Sequence, residues 1–209
     1  HKKGLFIDCN SLPTVNQKPL NEIFPDKNVD LDLRFKDPTS KLEEDQKKTL
    51  LLVDQWCSQY EKTILDIGGI GFFLGGIGPD GHIAFNVSGS DHHSTTRLLR
   101  TNFETQAAAA TDLGGIEISR NRLVITIGLS TITSNTDVTA VIIAAGESKA
   151  KIIKDAIEND PDITYPASAL QKLKGSRFYL TKGAASMLSD VILSVSYTHL
   201  RAHETDSYL

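Results

Sequence analysis

Short apolar runs that lack polar alternation are the feature that most restricts how this chain can fold. Residues 70–74, 122–127, 138–145 and 177–181 each have the length of a strand. Uninterrupted apolar runs are typical of strands buried on both faces, whereas a strand with one wet face alternates apolar and polar residues. The pattern therefore predicts four strands of a largely parallel, buried sheet.

Helical patterns separate or follow these runs. Ser40 and Glu43 are spaced as a capping box ahead of a clear amphipathic helix. Residues 147–158 have a helical apolar face, and residues 166–173 begin with a proline, which the first turn of a helix tolerates. Strands that alternate with helices indicate βαβ units. The predicted fold class is α/β: a three-layer, largely parallel sheet with helices on both faces.

Composition excludes several classes of function. The chain has 209 residues with a net charge of -4, so it offers no broad basic field and we expect no nucleic-acid partner. Its longest apolar run, residues 138–145, is too short to span a bilayer, so we expect no membrane partner. Two cysteines form no disulfide framework, which favours a cytoplasmic location.

The ends of the chain differ from its middle. Residues 1–38 show no sustained period and are predicted to be a long connection. The chain begins at His1 rather than Met, and we interpret it as a fragment. Residues 196–209 have no apolar face and resemble translated adapter sequence, so we predict one domain over residues 1–195 and a non-native tail after it.

The letters GGIG occur twice, at residues 68–71 and 75–78. The first copy precedes a predicted strand and is expected to let the chain turn into the sheet. The second follows the strand, at the sheet edge where ligands of parallel sheets bind. Residues 76–81 also match G-x-G-x-x-G, but Pro79 and the irregular segment after it do not open a helix, which argues against a dinucleotide site.

An acid and an imidazole follow the second copy. Asp80 and His82 flank Gly81, so both side chains can enter one pocket while the backbone bends between them. A carboxylate beside an imidazole fixes its tautomer and raises its basicity, as in a proton shuttle. The alternative is a surface loop in which Asp80 caps a turn and His82 packs on Phe85. Spacing alone does not decide between them.

The segment GGIGPDGHIAFN resembles the signature of the glucosamine-6-phosphate deaminase family. The resemblance extends over roughly residues 65–190, through Thr96-Arg97, Thr131 and the turn at residues 145–150. It implies a Rossmann-like sheet, incomplete at the N-terminus here. It also implies conversion of glucosamine 6-phosphate to fructose 6-phosphate and ammonia, with no metal or organic cofactor. The family includes monomers and hexamers, so a homo-oligomer is compatible with it.

The resemblance implies a role for each matching residue. His82 would be the acid/base that opens the sugar ring, and Asp80 would orient it. Lys149 would hold the substrate phosphate, and Arg97 matches an arginine concerned with phosphate ligands. Gly75 and Gly76 would let the substrate approach the backbone. Lys149 could instead be a solvated helix residue, and Arg97 could form a surface ion pair.

Three departures weaken the enzymatic interpretation. Val87 stands where the family has the glutamate that completes a proton relay, and residues 106–111, QAAAAT, lack the family's phosphate-binding arginine. The family's proton-abstracting aspartate and phosphate loop would lie before His1. We therefore expect residues 1–209 alone to be inactive, and the activity of the parent to be altered or lost.

Histidines elsewhere offer weaker alternatives. His92 and His93, beside Asp91, could replace the lost glutamate as a relay, bind a metal with His82, or lie in a solvated loop. His199 and His203 have metal-ligand spacing but fall in the suspected tail.

Three functions remain open. The first is a deaminase-like enzyme acting on a phosphorylated amino sugar. The second is a non-catalytic sugar-phosphate-binding module, which Val87 favours. The third is a 6-phosphogluconolactonase-like hydrolase, against which the Ile-Ala-Phe-Asn sequence argues.

Overall fold

The computed structural model describes residues 4–192, apart from the side chains of Asp112 and Leu113. The suspected tail at residues 196–209, with His199 and His203, lies outside the described residues. The α-helices are α1 (Leu20–Ile23), α2 (Lys41–Asp66), α3 (Phe103–Leu113), α4 (Ile116–Asn121), α5 (Leu129–Thr133) and α6 (Ala150–Glu158). The strands are β1 (Phe72–Gly76), β2 (Arg97–Arg100), β3 (Leu123–Thr126), β4 (Thr139–Ala144) and β5 (Gly175–Leu180).

A parallel sheet of three strands, in the order β1-β4-β5, forms the centre of the α/β fold. Leu74 lies opposite Val141, which in turn lies opposite Arg177. All three strands were predicted from their apolar runs, to within a few residues at each end. Parallel strands place their carboxyl ends at one edge, so the loops after β1 and β4 emerge together.

The run at residues 122–127 was predicted as a further strand of the parallel sheet, and that placement is wrong. Its strand, β3, pairs antiparallel with β2 in a separate two-stranded sheet. Helices α3 and α4 connect the two strands and pack on each other, so the chain returns alongside β2 in the opposite direction. An apolar run indicates burial, but it does not specify the direction of the partner strand.

The two faces of the parallel sheet are unequally covered. Ala140 and Ile142 of β4 are fully buried against Ile153 of α6 and Leu170. On the opposite face the side chains exposed by more than half are Phe72, Leu74, Ile143 and Tyr179. The prediction that these strands are buried on both faces is wrong for these four residues. Within residues 4–192, the core packs against the other face of the sheet.

Helix α2 begins and ends with well-defined caps. Ser40 Oγ accepts a hydrogen bond from the Glu43 N–H at 3.1 Å, as the capping box predicted. The Glu43 carboxylate binds the N–H and the hydroxyl of Thr39 rather than Ser40.

Residues 4–38 form α1 and short 3-10 turns at Cys9–Ser11, Val15–Gln17 and Leu31–Arg34.

Two other predicted helices are partly 3-10. Residues 147–158 begin with a 3-10 turn, Glu147–Lys149, that leads into α6, and Pro166–Lys172 is 3-10 throughout. Among residues 4–192, no helix combines the length and the apolar character required to cross a bilayer.

Candidate functional site

The loop after β1 is a tight turn that brings Asp80 and His82 back over the end of the strand. The Gly78 N–H donates to the His82 carbonyl at 2.9 Å, and the Gly81 N–H donates to the Gly78 carbonyl at 3.1 Å. Gly81 has a φ of 82° and packs against Ile152 of α6. No helix opens at this turn, as the sequence after Pro79 predicted.

Asp80 and His82 form a hydrogen-bonded pair. Asp80 Oδ1 lies 2.5 Å from His82 Nδ1, and the two side chains are 8% and 14% exposed. The His82 ring also stacks on Phe85, with ring centroids 6.1 Å apart. The two interpretations left open by the spacing therefore occur together, because His82 packs on Phe85 while it pairs with Asp80.

Three polar contacts hold the Asp80 carboxylate, and the first is the one from His82 to Oδ1. Its Oδ2 accepts the Ser88 N–H at 2.8 Å and the Asn102 side-chain amide at 2.6 Å. Burial of the carboxyl acts to raise its pKa. Hydrogen bonds from His82, the Ser88 backbone and Asn102, together with the His82 charge, outweigh that effect and hold the pKa of Asp80 well below its ordinary value. Asp80 is therefore ionised at neutral pH.

His82 borders a cavity of about 380 Å³ at the carboxyl end of β1. Gly75 and Gly76 line the same cavity, and their role in substrate binding stays a prediction. Its remaining lining residues are Phe73, Leu74, Ile77, Gly78 and Ala84. A small ligand in this space would meet backbone and apolar surface on one side and the imidazole on another.

Lys149 ends the 3-10 turn that follows β4 and precedes α6. Partial burial lowers the pKa of its ammonium group from the ordinary value, and the negative charge of Asp80 opposes that change. The two charges are thus near enough to interact. The structure places Lys149 on the same side of the sheet edge as Asp80, where the loops after β1 and β4 emerge.

Arg97 lies apart from the His82 cavity, at the start of β2. Its guanidinium donates to Asn86 Oδ1 at 2.8 Å, to the Thr95 carbonyl at 3.2 Å and to Ser90 Oγ at 3.2 Å. Burial lowers its pKa, and the charge of Asp91 opposes that effect. Arg97 borders a second cavity of about 330 Å³, which Val87 and Arg100 also line.

Asn86 joins the glycine loop to the rest of the fold. It is fully buried and donates to the Ile83 and Ile127 carbonyls while it accepts from Arg97. Every polar group of this amide therefore has a partner within the protein. The Asn of the Phe-Asn pair in the motif thus anchors the loop to the strand that carries Ile127 and to Arg97.

The histidines after the loop show no link to the pair. His93 is exposed and its N–H donates to Asp91 Oδ1, while His92 Nε2 is buried with no hydrogen-bond partner. Within residues 4–192 no three His, Cys, Asp or Glu side chains converge as metal ligands, so the predicted metal alternative at His82, His92 and His93 finds no support.

Sequence reasoning missed two residues that contact the pair. Asn102 donates to Asp80, and Thr105 Oγ1 lies 3.3 Å from His82 Nδ1. Both belong to the first turn of α3, and Asn102 Oδ1 caps that helix by accepting the Thr105 N–H. An asparagine ahead of a helical segment is a common cap signal, but the sequence does not show which loop the helix start faces.

Comparison with known proteins finds glucosamine-6-phosphate deaminases and isomerases among those similar to this chain, although no family model matches. The chain is 38% identical over 120 residues to the glucosamine-6-phosphate isomerase of Candida albicans, covering 57% of this chain and 48% of that protein. It is 37% identical over 134 residues to the glucosamine-6-phosphate deaminase of Borreliella afzelii, covering 64% and 49%. The chain spans about half the length of the curated relatives it matches.

A solved structure gives the same result. A monomeric glucosamine-6-phosphate deaminase, described as a missing link of the NagB superfamily, superposes with a TM-score of 0.59 and 30% identity. The superposition covers 65% of this chain and 55% of that protein. Sequence and fold agree: over about three fifths of its length the chain is similar to glucosamine-6-phosphate deaminases and isomerases.

Proposed function

We propose that this chain carries the acid/base and phosphate-binding part of a site for a phosphorylated amino sugar, of the glucosamine-6-phosphate deaminase type. The observation that carries the proposal is the Asp80–His82 pair at the rim of a cavity lined by Gly75 and Gly76. Homology to deaminases supports it independently. The reaction proposed for the whole protein is isomerisation of the amino sugar with release of ammonia.

The hydrogen bond to Asp80 assigns the two nitrogens of His82 different tasks. Nδ1 is engaged with the carboxylate, which leaves Nε2 for the substrate. In ring opening, Nε2 would accept the proton of the C1 hydroxyl and return a proton to the ring oxygen as the C1–O bond breaks. The ionised Asp80 stabilises the imidazolium that forms between these two transfers.

Lys149 is the proposed partner of the substrate phosphate. Its ammonium is partly buried, follows β4 at the edge of the sheet where the loop after β1 also emerges, and feels the charge of Asp80. A phosphate bound there would accept a charge-assisted hydrogen bond from the ammonium, which would compensate for the hydration that the ammonium loses on burial. Arg97 is already hydrogen-bonded to three protein groups and borders the second cavity, so we assign it no contact with this phosphate.

Sugar-phosphate binding without catalysis is the second candidate, and Val87 favours it. The side chain at position 87 lines the Arg97 cavity and can neither donate nor accept a proton. Gln106, at the start of the QAAAAT segment, is buried and donates to the Thr101 carbonyl, so it supplies no charge for a phosphate. The three-layer Rossmann-like sheet, the single domain over residues 1–195, the cytoplasmic location and a homo-oligomer stay predictions.

Calorimetric titration of the chain with glucosamine 6-phosphate, alongside an assay for released ammonia, tests the proposal. We expect binding that Lys149→Ala weakens by at least tenfold, the loss of about one charge-assisted contact. We expect His82→Gln to preserve binding and to abolish any ammonia release. Lys151→Ala is the matched control, because Lys151 lies two residues further along and is 73% exposed.

The outcomes separate the candidates. Binding with ammonia release supports the deaminase. Binding without ammonia supports the binding module only if the full-length parent, assayed in the same way, also releases none. An equal loss of affinity in Lys149→Ala and Lys151→Ala would remove Lys149 from the site. Absence of binding at millimolar sugar phosphate would overturn the proposed function.

A further inference from the structure

The Asp80 carboxylate reaches His82 only through Oδ1, while its second oxygen is fixed from elsewhere. Oδ2 accepts the Ser88 N–H, which lies in the same loop, and the Asn102 amide, which lies 22 residues away in the sequence. The Asn102 contact, at 2.6 Å, is the shorter of the two. The orientation of the carboxylate therefore depends on a residue outside the glycine loop.

Asn102 is itself held in one orientation. Its Oδ1 accepts the Thr105 N–H at 3.1 Å as the cap of α3, and its Nδ2 donates to Asp80. A flipped amide would set an oxygen against the carboxylate and an NH₂ group against the N–H, so both contacts fix the same assignment. The cap of the helix and the support of Asp80 are therefore two functions of a single amide.

The first turn of α3 contacts both members of the pair. Asn102 binds Asp80, and Thr105, three residues on and hence on the same side of the helix, approaches His82 Nδ1 to 3.3 Å. Val87 stands where the family resemblance predicts a second carboxylate. Among the described residues, His82 is therefore hydrogen-bonded to one carboxylate, that of Asp80. A contact that orients the Asp80 carboxylate therefore also affects the imidazole of His82.

We propose that Asn102 is a positioning residue that holds Asp80 so that the proton of neutral His82 resides on Nδ1 and Nε2 stays free to act. The assignment of Nε2 to a sugar phosphate rests on the proposed function. The effect of Asn102 on the tautomer of His82 does not, since it needs no ligand. Asn102 does not line the cavity, so in this scheme it acts on the substrate only through Asp80 and His82.

Nitrogen-15 NMR of histidine-labelled full chain, with the His82 signals assigned by His82→Gln, provides the test. In the parent chain we expect the Nδ1–H tautomer to dominate. Asn102→Asp keeps the size and the cap of α3 but replaces the donor with a second carboxylate oxygen facing Asp80. We expect the ratio of Nδ1–H to Nε2–H to fall about tenfold, the value of one charge-assisted hydrogen bond.

Two further variants distinguish positioning from a structural role. Asn102→Ser also keeps a good cap but cannot reach Asp80, so we expect a smaller fall in the same direction with little change in melting temperature. Asn159→Asp is the matched control, because Asn159 also donates to an aspartate, Asp155, but at an exposed helix end.

An unchanged tautomer ratio in Asn102→Asp, or an equal change in Asn159→Asp, would overturn the inference and leave the sugar-phosphate proposal intact. A shifted ratio in a chain that does not bind glucosamine 6-phosphate would support the inference and refute the proposed function.

Discussion

The two copies of GGIG have identical letters and need glycine for different physical reasons. In the first copy, Gly68 and Gly69 have φ values of 96° and 79°, a region that other residues seldom adopt. Their N–H groups donate to the Leu65 and Ile64 carbonyls, the pattern of a Schellman motif that ends α2. There the requirement lies in the backbone conformation, and Gly68 has open space around it.

In the second copy the requirement is space. Gly78 has no positive φ, but a Cβ at this position would lie 1.9 Å from Cε1 of the His82 ring. Gly76 in the same copy has only the Ile143 carbonyl oxygen nearby, at 3.8 Å. One glycine of the second copy therefore makes room for the imidazole, whereas the first copy shapes a helix end. A repeated motif thus need not imply a repeated function.

Gly78→Ala should have the largest effect, because the methyl group occupies the place of the His82 ring. We expect the Asp80–His82 hydrogen bond to break and any reaction that uses His82 to slow by about 10²–10⁴-fold, the usual contribution of a general acid/base. Loss of the Nδ1–H signal of His82 measures the effect in this chain, and ammonia release measures it in the full-length parent. Because Gly76 lines the cavity, Gly76→Ala is the control for the Nδ1–H signal alone, and a similar loss of that signal would refute the spatial explanation.

Gly69→Ala should affect the fold and spare the site. The alanine must adopt a φ of 79°, and its Cβ would lie 3.3 Å from the Asn135 Cβ. We expect the free energy of unfolding to fall by about 1–2 kcal/mol, the cost of left-handed backbone in a residue with a Cβ. Urea unfolding measures the change. A change in the His82 tautomer would show instead that the two copies are coupled.

The sequence predicts what depends on local pattern and misses what depends on partner elements. The cap at Ser40 and strands β4 and β5 follow from local patterns of a few residues, whereas the spacing of Asp80 and His82 allowed their pairing without deciding it. The antiparallel pairing of β3 and the Asn102 contact do not, because each depends on where α3 places a distant segment. The distinction between the glycine copies is local but also could not be predicted, since the ring that excludes a Cβ at Gly78 belongs to His82, four residues on, and the letters do not show that the loop folds this ring back over Gly78.

Gly68→Ala should cost less than Gly69→Ala. No heavy atom lies within 4 Å of a Cβ built at Gly68, so strain at a φ of 96° is the whole effect. We expect a fall of about 1 kcal/mol in the free energy of unfolding, and a smaller fall for Gly68→Asn, because asparagine tolerates this region better. If Gly68→Ala and Gly68→Asn cost the same, the φ explanation of the first copy is wrong.

Gly71→Ala should have the smallest effect and completes the comparison within the first copy. Gly71 has no positive φ and no heavy atom within 4 Å of a built Cβ, so neither the conformational nor the spatial requirement applies. Alanine also reduces the conformational entropy of the unfolded chain, so we expect a change within about 0.5 kcal/mol of zero, or slight stabilisation. Urea unfolding beside Gly68→Ala measures the difference. A destabilisation as large as that of Gly69→Ala would mean that the turn into β1 needs glycine throughout, and the division of the first copy into required and dispensable positions would fail.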